Sequence, residues 1–116
     1  MREIKNGERY VVLAKGIIMG SFRISKEKGA WQDTDSNKFY LYDLFIDREY
    51  AGLGIGQICL DRAAELTRTL GGAVLRLDCW AGNETLKSLY SQTFHHCGNV
   101  REKEYLVSLY ERDVYA

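Results

Sequence analysis

Glu49-Tyr50-Ala51-Gly52-Leu53-Gly54-Ile55-Gly56 is the stretch on which the fold turns. It lies between an apolar, strand-like run and an amphipathic, helix-like run. Glycines at alternate positions strip Cβ atoms from one side of the turn, so backbone N–H groups can approach a bulky anion. The helix that follows begins with unpaired N–H groups and a partial positive charge, which favours a pyrophosphate without any basic side chain. Taken alone, the stretch reads equally as a tight strand-to-helix turn. Its flanks decide between the two.

Upstream, Phe39-Tyr40-Leu41-Tyr42-Asp43-Leu44-Phe45-Ile46 is almost continuously apolar, which predicts a strand covered on both faces and makes its one acid conspicuous. Before it, Tyr10-Val11-Val12-Leu13-Ala14 and Ile17-Ile18-Met19-Gly20-Ser21-Phe22-Arg23-Ile24 flank Gly16 and predict a hairpin. The polar segment from Lys26 to Asn37, with Trp31 inside it, predicts a long loop. Downstream, Ile55, Cys59, Ala63, Leu66 and Leu70 recur at helical spacing until Gly71-Gly72 ends the helix. Ala73 to Trp80 then predicts a strand, Asn83 caps a second helix from about Glu84 to Phe94, and Tyr105 to Tyr110 supplies a final strand. The order predicts a mixed sheet with at least two helices.

The chain has 116 residues, 46% hydrophobic and 28% charged, which fits one domain over residues 1–116. Sixteen basic and sixteen acidic residues give a net charge of zero, offering no electrostatic footprint for nucleic acid or a membrane surface. No apolar run has transmembrane length, and Met1-Arg2-Glu3-Ile4-Lys5 lacks the apolar core of a signal peptide, so a cytosolic protein is expected. The three cysteines, Cys59, Cys79 and Cys97, are odd in number and stand singly, so reduced and mostly buried thiols are expected rather than disulfides. No metal site is expected: His95, His96 and Cys97 are adjacent on an extended segment and point to alternate faces.

Together these motifs resemble the GNAT superfamily of N-acetyltransferases over most of the chain. Ala51-Gly52-Leu53-Gly54-Ile55-Gly56 falls on that family's Q/R-x-x-G-x-G/A signature, Leu75 to Asn83 looks like its fifth strand running into an asparagine near the cofactor, and Tyr90 matches the tyrosine of the next helix. The closing Tyr110-Glu111-Arg112-Asp113 looks like its last strand. The resemblance implies an α/β (α+β) fold, a mixed and mostly antiparallel sheet with helices packed on it. It also implies acetyl-CoA as acetyl donor. Leu44, Phe45 and Ile46 would hold the acetyl group and pantetheine arm by backbone, while Gly52, Leu53, Gly54, Ile55, Gly56 and Gln57 would hold the pyrophosphate through N–H groups. Asn83 lies seven residues before Tyr90, near two helical turns, so both can face one groove. Tyr90 is the candidate acid for the leaving thiolate; the other reading is a tyrosine packed in the core. Asn83 is a cofactor contact, an ordinary helix cap, or both.

Three departures qualify the match. Ala51 stands where the family has glutamine or arginine, which removes a side chain but no backbone donor. At the position of Tyr42 some polyamine acetyltransferases carry a glutamate, and only the following acid, Asp43, remains here. Asp43, Tyr42 or an ordered water chain is then expected to take the amine's proton, although strand alternation puts Tyr42 and Asp43 on opposite faces unless a bulge intervenes. Finally, the sequence opens close to the family's second strand, as an N-terminally truncated member would. The acceptor groove is expected to be closed by a second subunit in a homodimer, by the Lys26 to Asn37 loop, or by a large acceptor itself.

The expected function is acetyl transfer to a small-molecule or peptide amine by direct attack on the thioester, without a covalent enzyme intermediate. Cys59 is not expected to act as nucleophile, since it sits on the apolar repeat of its helix with no histidine nearby in sequence. The alternative is a truncated, non-catalytic acyl-CoA-binding or regulatory module.

Overall fold

The structure is a computed structural model that describes residues 2–4, 7–31, 33, 37–50 and 52–115. Ala51 lies outside the described residues. In chain order the elements are β1 (Arg2–Ile4), β2 (Gly7–Ala14), β3 (Ile17–Ser25), β4 (Lys38–Ile46), a short 3₁₀ turn (Arg48–Tyr50), α1 (Ile55–Thr69), β5 (Val74–Trp80), α2 (Glu84–Ser91), β6 (His95–Glu102) and β7 (Tyr105–Asp113). The described strands form one sheet in the order β1-β2-β3-β4-β5-β7-β6, antiparallel throughout except for β4 beside β5. That parallel pair requires a crossover, and α1 supplies it.

Both helices pack on one face of the sheet, called here the helix face. Its core joins Tyr10, Phe22, Ile24, Leu41, Leu75, Leu77, Cys79 and Tyr110 from the strands to Ile55, Cys59, Leu60, Ala63 and Ala64 from α1 and Tyr90 from α2. Small residues on α1 let it come close. A Cβ built on Gly20 would lie 2.8 Å from the Cys59 sulfur, so β3 and α1 meet where neither can carry a larger group. Leu66 packs at the margin of this core, whereas Leu70 is an exposed C-cap residue, so the helix's buried stripe ends one turn earlier than its spacing predicts.

On the opposite face, Ala30 and Trp31 fold down over Tyr40, Val107 and Leu109. Residues 26–31 of the predicted loop thus bring Ala30 and Trp31 over this part of the sheet. Arg76 fixes it. Buried in β5, its guanidinium makes a two-pronged bond to Asp33 at 2.8 and 2.9 Å, donates to Glu111 at 3.0 Å, and lies 3.8 Å from the Trp31 ring centroid. A planar fork that satisfies two carboxylates while stacking on indole is a role lysine could not fill.

One boundary differs from expectation, and another follows the resemblance rather than the apolar run. α2 stops at Ser91 rather than Phe94, although Phe94 N–H still bonds the Tyr90 carbonyl at 2.8 Å, so the last turn loosens without unwinding. β7 runs on to Asp113, three residues past the predicted apolar run, because its ladder with β5 continues to the Val74–Asp113 pair. Cys59 and Cys79 are buried, but Cys97 is exposed on β6, at a bulge between His96 and Gly98.

Candidate active site

β4 and β5 pair only at Lys38–Val74, Phe39–Leu75 and Tyr40–Arg76, although both strands continue for several residues. Beyond Tyr40 no strand among the described residues lies against that edge of β4, and a wedge opens between the two. Ligands of open α/β sheets sit beyond the carboxyl ends of parallel strands, where the chain leaves for its helix. Here that place receives the glycine turn.

The cause of the opening is visible in β4. Asp43 has φ +54°, a left-handed conformation in mid-strand, and the β3–β4 register shifts between Ser21–Phe45 and Arg23–Tyr42. β4 carries one extra residue at that step. Such a bulge bends a strand and increases its twist. It also resets alternation: Leu41, Leu44 and Ile46 pack with the helix-face core, while Tyr42 pairs with Arg23 on the opposite face. Tyr42 and Asp43 consequently share a face, since the Asp43 carboxylate accepts from Arg23 Nε at 3.2 Å and from Arg9 Nη2 at 3.1 Å. The expected opposition of Tyr42 and Asp43 is therefore corrected by the bulge. Asp43 is engaged toward β2 and β3, and its side chain is 56% exposed.

Tyr42 sits at the apex of the wedge. Its hydroxyl donates to the Glu27 carbonyl, and burial, reinforced by the charges of Asp78 and Glu27, pushes its pKa up to about 12. A phenol so held stays protonated at neutral pH.

Asp78 lies across the wedge on β5. Arg76, Asp78 and Trp80 alternate with the core residues Leu75, Leu77 and Cys79, so they share the loop-covered face. Burial, and then the charge of Glu102, raise the Asp78 carboxyl above the ordinary range. Sequence reasoning passed over this residue. The signal was present: it is the one acid in Val74-Leu75-Arg76-Leu77-Asp78-Cys79-Trp80, as Asp43 is in its own strand.

Tyr90 projects from α2 into the core against Phe94 and Tyr110, with 3% of its surface exposed. Burial raises its pKa most, and Cys79, Asp78 and Tyr110 add to the rise, which places the phenol within electrostatic reach of the wedge strand β5. Asn83 is the N-cap of α2: its side-chain oxygen accepts from Leu86 N–H at 3.0 Å.

The glycine turn divides its work. Gly52 and Gly54 have φ of 81° and 80°, and Gly54 is the N-cap of α1 with no side-chain hydrogen bond. The first N–H groups of α1, from Ile55, Gly56 and Gln57, are thereby left without a capping side chain. Gly56 serves a different need, because a Cβ there would stand 3.0 Å from Leu89 of α2. The Gln57 side chain ties the two helices, accepting from Thr93 Oγ1 at 2.9 Å and reaching the Leu89 carbonyl at 3.4 Å. Leu53 is exposed on the turn, and Phe45 is exposed beside the wedge.

An uncapped helix start, glycines that leave the turn open, and a wedge between parallel strands fit a long ligand with an anionic middle and a narrow acyl end. Among the described residues no group of three or more histidine, cysteine or acidic side chains could hold a metal ion. No helix among them is long and apolar enough to cross a membrane.

The family model of the acetyltransferase (GNAT) family matches residues 1–95. The chain belongs to that family. A search of curated proteins gives no match. Among solved structures, the ribosomal-protein-S18-alanine N-acetyltransferase from Escherichia coli superposes with a TM-score of 0.74 at 15% identity, over 97% of this chain and 72% of that one. A Bacillus anthracis protein described as a streptothricin acetyltransferase, solved with acetyl coenzyme A, gives 0.76 at 18% identity over 95% and 64% of the two chains. An aminoglycoside acetyltransferase in complex with coenzyme A gives 0.78 at 16% identity over 90% and 65%. At these identities the likeness is one of fold.

Proposed function

We propose that this GNAT chain transfers an acetyl group from acetyl-CoA to an amine by direct attack. The observation that carries the reading is the wedge, which has Asp78 on one side of its β5 wall and the buried Tyr90 phenol on the other. Acetyl-CoA, when bound, supplies a thioester carbonyl open to attack and a thiolate leaving group. The N–H groups at the start of α1 and along Gly52 to Gln57 receive the pyrophosphate, Asn83 lines the groove at the start of α2, and the β4 backbone from Leu44 through Phe45 to Ile46 orients the acyl end.

Two proton steps fall to side chains of the chain. An alkylamine is mostly protonated at neutral pH and must lose a proton before it can attack. Asp78 is the group we assign to accept it, because a carboxyl raised by burial is a stronger base than an ordinary one. Asp43, already shared between two guanidiniums, and Tyr42, held protonated, are less suited. Tyr90, whose phenol burial keeps protonated, donates to the departing sulfur.

The test measures CoA release with a panel of amines, amino acids and peptides, beside Tyr90→Phe and Asp78→Asn. Turnover that falls in both variants supports the reading. Tight acetyl-CoA binding without turnover on any acceptor would replace it with a non-catalytic acyl-CoA-binding module. Homodimer formation also belongs to this reading, through the exposed Leu13, Ile17 and Ile18 at the end of the β2–β3 hairpin. Light scattering at micromolar concentration decides it, and a monomeric mass sinks it.

A further inference from the structure

Beside Asp78, on the same face and two residues along β5, stands Trp80, a large aromatic residue left 59% exposed. Its ring is held in place. A Cβ built on Gly82 would lie 2.5 to 2.8 Å from the Cζ2, Cη2 and Cε2 atoms of the indole, so the ring lies across a backbone that only glycine leaves bare. Ala81 N–H bonds the Leu106 carbonyl at 2.8 Å, which fastens this corner to the start of β7.

The β6–β7 hairpin brings two more groups to the same corner. Trp80 pairs with Val107, and Val107 with Val100, both packed on the loop-covered face. Tyr105 lies two residues before Val107, Glu102 two residues after Val100, and the two are themselves a cross-strand pair. Alternation therefore puts Tyr105 and Glu102 on the face of Trp80 and Asp78. Tyr105 is 49% exposed. The charge of Glu102 reaches Asp78, so the corner is electrically continuous with the wedge. Two nearby cations are engaged elsewhere: Lys87 Nζ donates to the Ala81 carbonyl at 3.0 Å and pairs with Glu84, and Arg101 pairs with Leu106 on the other face of β6.

We propose that the acceptor carries a second cationic group beyond the reacting amine, seated against the Trp80 and Tyr105 rings and facing Glu102, while the reacting amine lies at Asp78. Two exposed aromatic residues beside an acid are the chemistry that recognises an alkylammonium, through ring quadrupoles and the charge of a carboxylate. A monocationic amine meets only half of this surface. Trp80 is thus a specificity-determining residue, and the acceptor class is a diamine or a peptide with a basic residue next to the acetylated amine. The inference rests on the acetyl-transfer reading for the place of the reacting amine.

The experiment compares n-butylamine with the four-carbon α,ω-diamine. In CoA-release assays the diamine should show kcat/KM about tenfold above the monoamine. Trp80→Ala should lower that ratio about fivefold, Trp80→Phe should retain most of it, and Glu102→Gln should lower it about threefold. Turnover of both amines with a ratio near one, or a ratio indifferent to Trp80→Ala and Glu102→Gln, overturns the inference and leaves acetyl transfer standing. If neither amine is acetylated although acetyl-CoA binds, acetyl transfer falls, and calorimetry on CoA-saturated protein decides the recognition. Tighter binding of the diamine, weakened by Trp80→Ala, supports the inference in that case; equal binding overturns it.

Discussion

Where α1 and α2 meet the sheet, contact is apolar and close, whereas the opposite face is tied down by charge. The helix face owes its shape to small residues, Cys59 and Ala63 on α1 against Gly20 on β3, and to Gly56 against Leu89. The other face depends on Arg76 with Asp33 and Glu111, on Arg9 and Arg23 with Asp43, and on the Trp31 loop. Close apolar packing fixes positions at any pH. Ionic ties also fix positions, but they respond to protons and salt. The wedge lies between the two faces, so under the proposed function a donor entering by the helix termini would meet the rigid side, and an acceptor the side that titrates.

The largest test of this contrast is chemical. Tyr90→Phe on the helix face should lower kcat about a hundredfold, with acetyl-CoA affinity changed by no more than about threefold in a binding titration. An unchanged kcat would reduce Tyr90 to a packing residue. Asp78→Asn should also lower kcat about a hundredfold. In the native protein, the acid limb of the pH–rate profile should lie above the ordinary carboxylate range, because the raised Asp78 must ionise before it can accept a proton. Asp78→Asn should raise thermal stability at neutral pH. A carboxyl whose folded pKa lies above its unfolded value penalises the folded state at pH above both values, and the penalty is relieved as pH falls through the folded pKa.

On the ionic side, Arg76→Ala removes the Asp33 and Glu111 bonds and the stacking on Trp31 at once. Denaturant titration should show a loss of about 2 to 3 kcal/mol, with the near-ultraviolet signal of Trp31 altered. Gly54→Ala tests the turn. The left-handed φ makes any side chain unfavourable by about 1 kcal/mol, and the same substitution should weaken acetyl-CoA binding severalfold.

The smallest effect should come from Asp33→Asn. The Arg76 hydrogen bonds hold the Asp33 carboxyl below its usual value, so its contribution is present above the unfolded pKa and is lost as pH falls through the folded one. Because Asp33 is half exposed, the loss at neutral pH should be under about 1 kcal/mol, and it should vanish once pH falls below the lowered folded pKa. An equal loss at all pH values would mean that Asp33 acts by shape rather than charge.

Much of the fold was legible in residue order. β2, β3, β4, α1, β5 and the start of α2 follow from alternation, helical spacing, glycine breaks and the Asn83 cap, all of which act between residues near in sequence. β1 and β6 were not legible. β6, with His95-His96-Cys97-Gly98-Asn99, has no apolar alternation of its own and is a strand because β7 pairs with it along its length.

The sequence by itself determined the glycine turn, the helix that follows it, and the positions of Asn83 and Tyr90, because turn conformation, capping and helical phase are local properties. Only the tertiary structure decided that β4 and β5 part after Tyr40, that Asp43 turns to Arg9 and Arg23, and that Asp78 stands on the wedge with Trp80 beside it. Those are relations between strands remote in sequence, set by one bulge and by which edges pair, and a linear pattern carries no record of either.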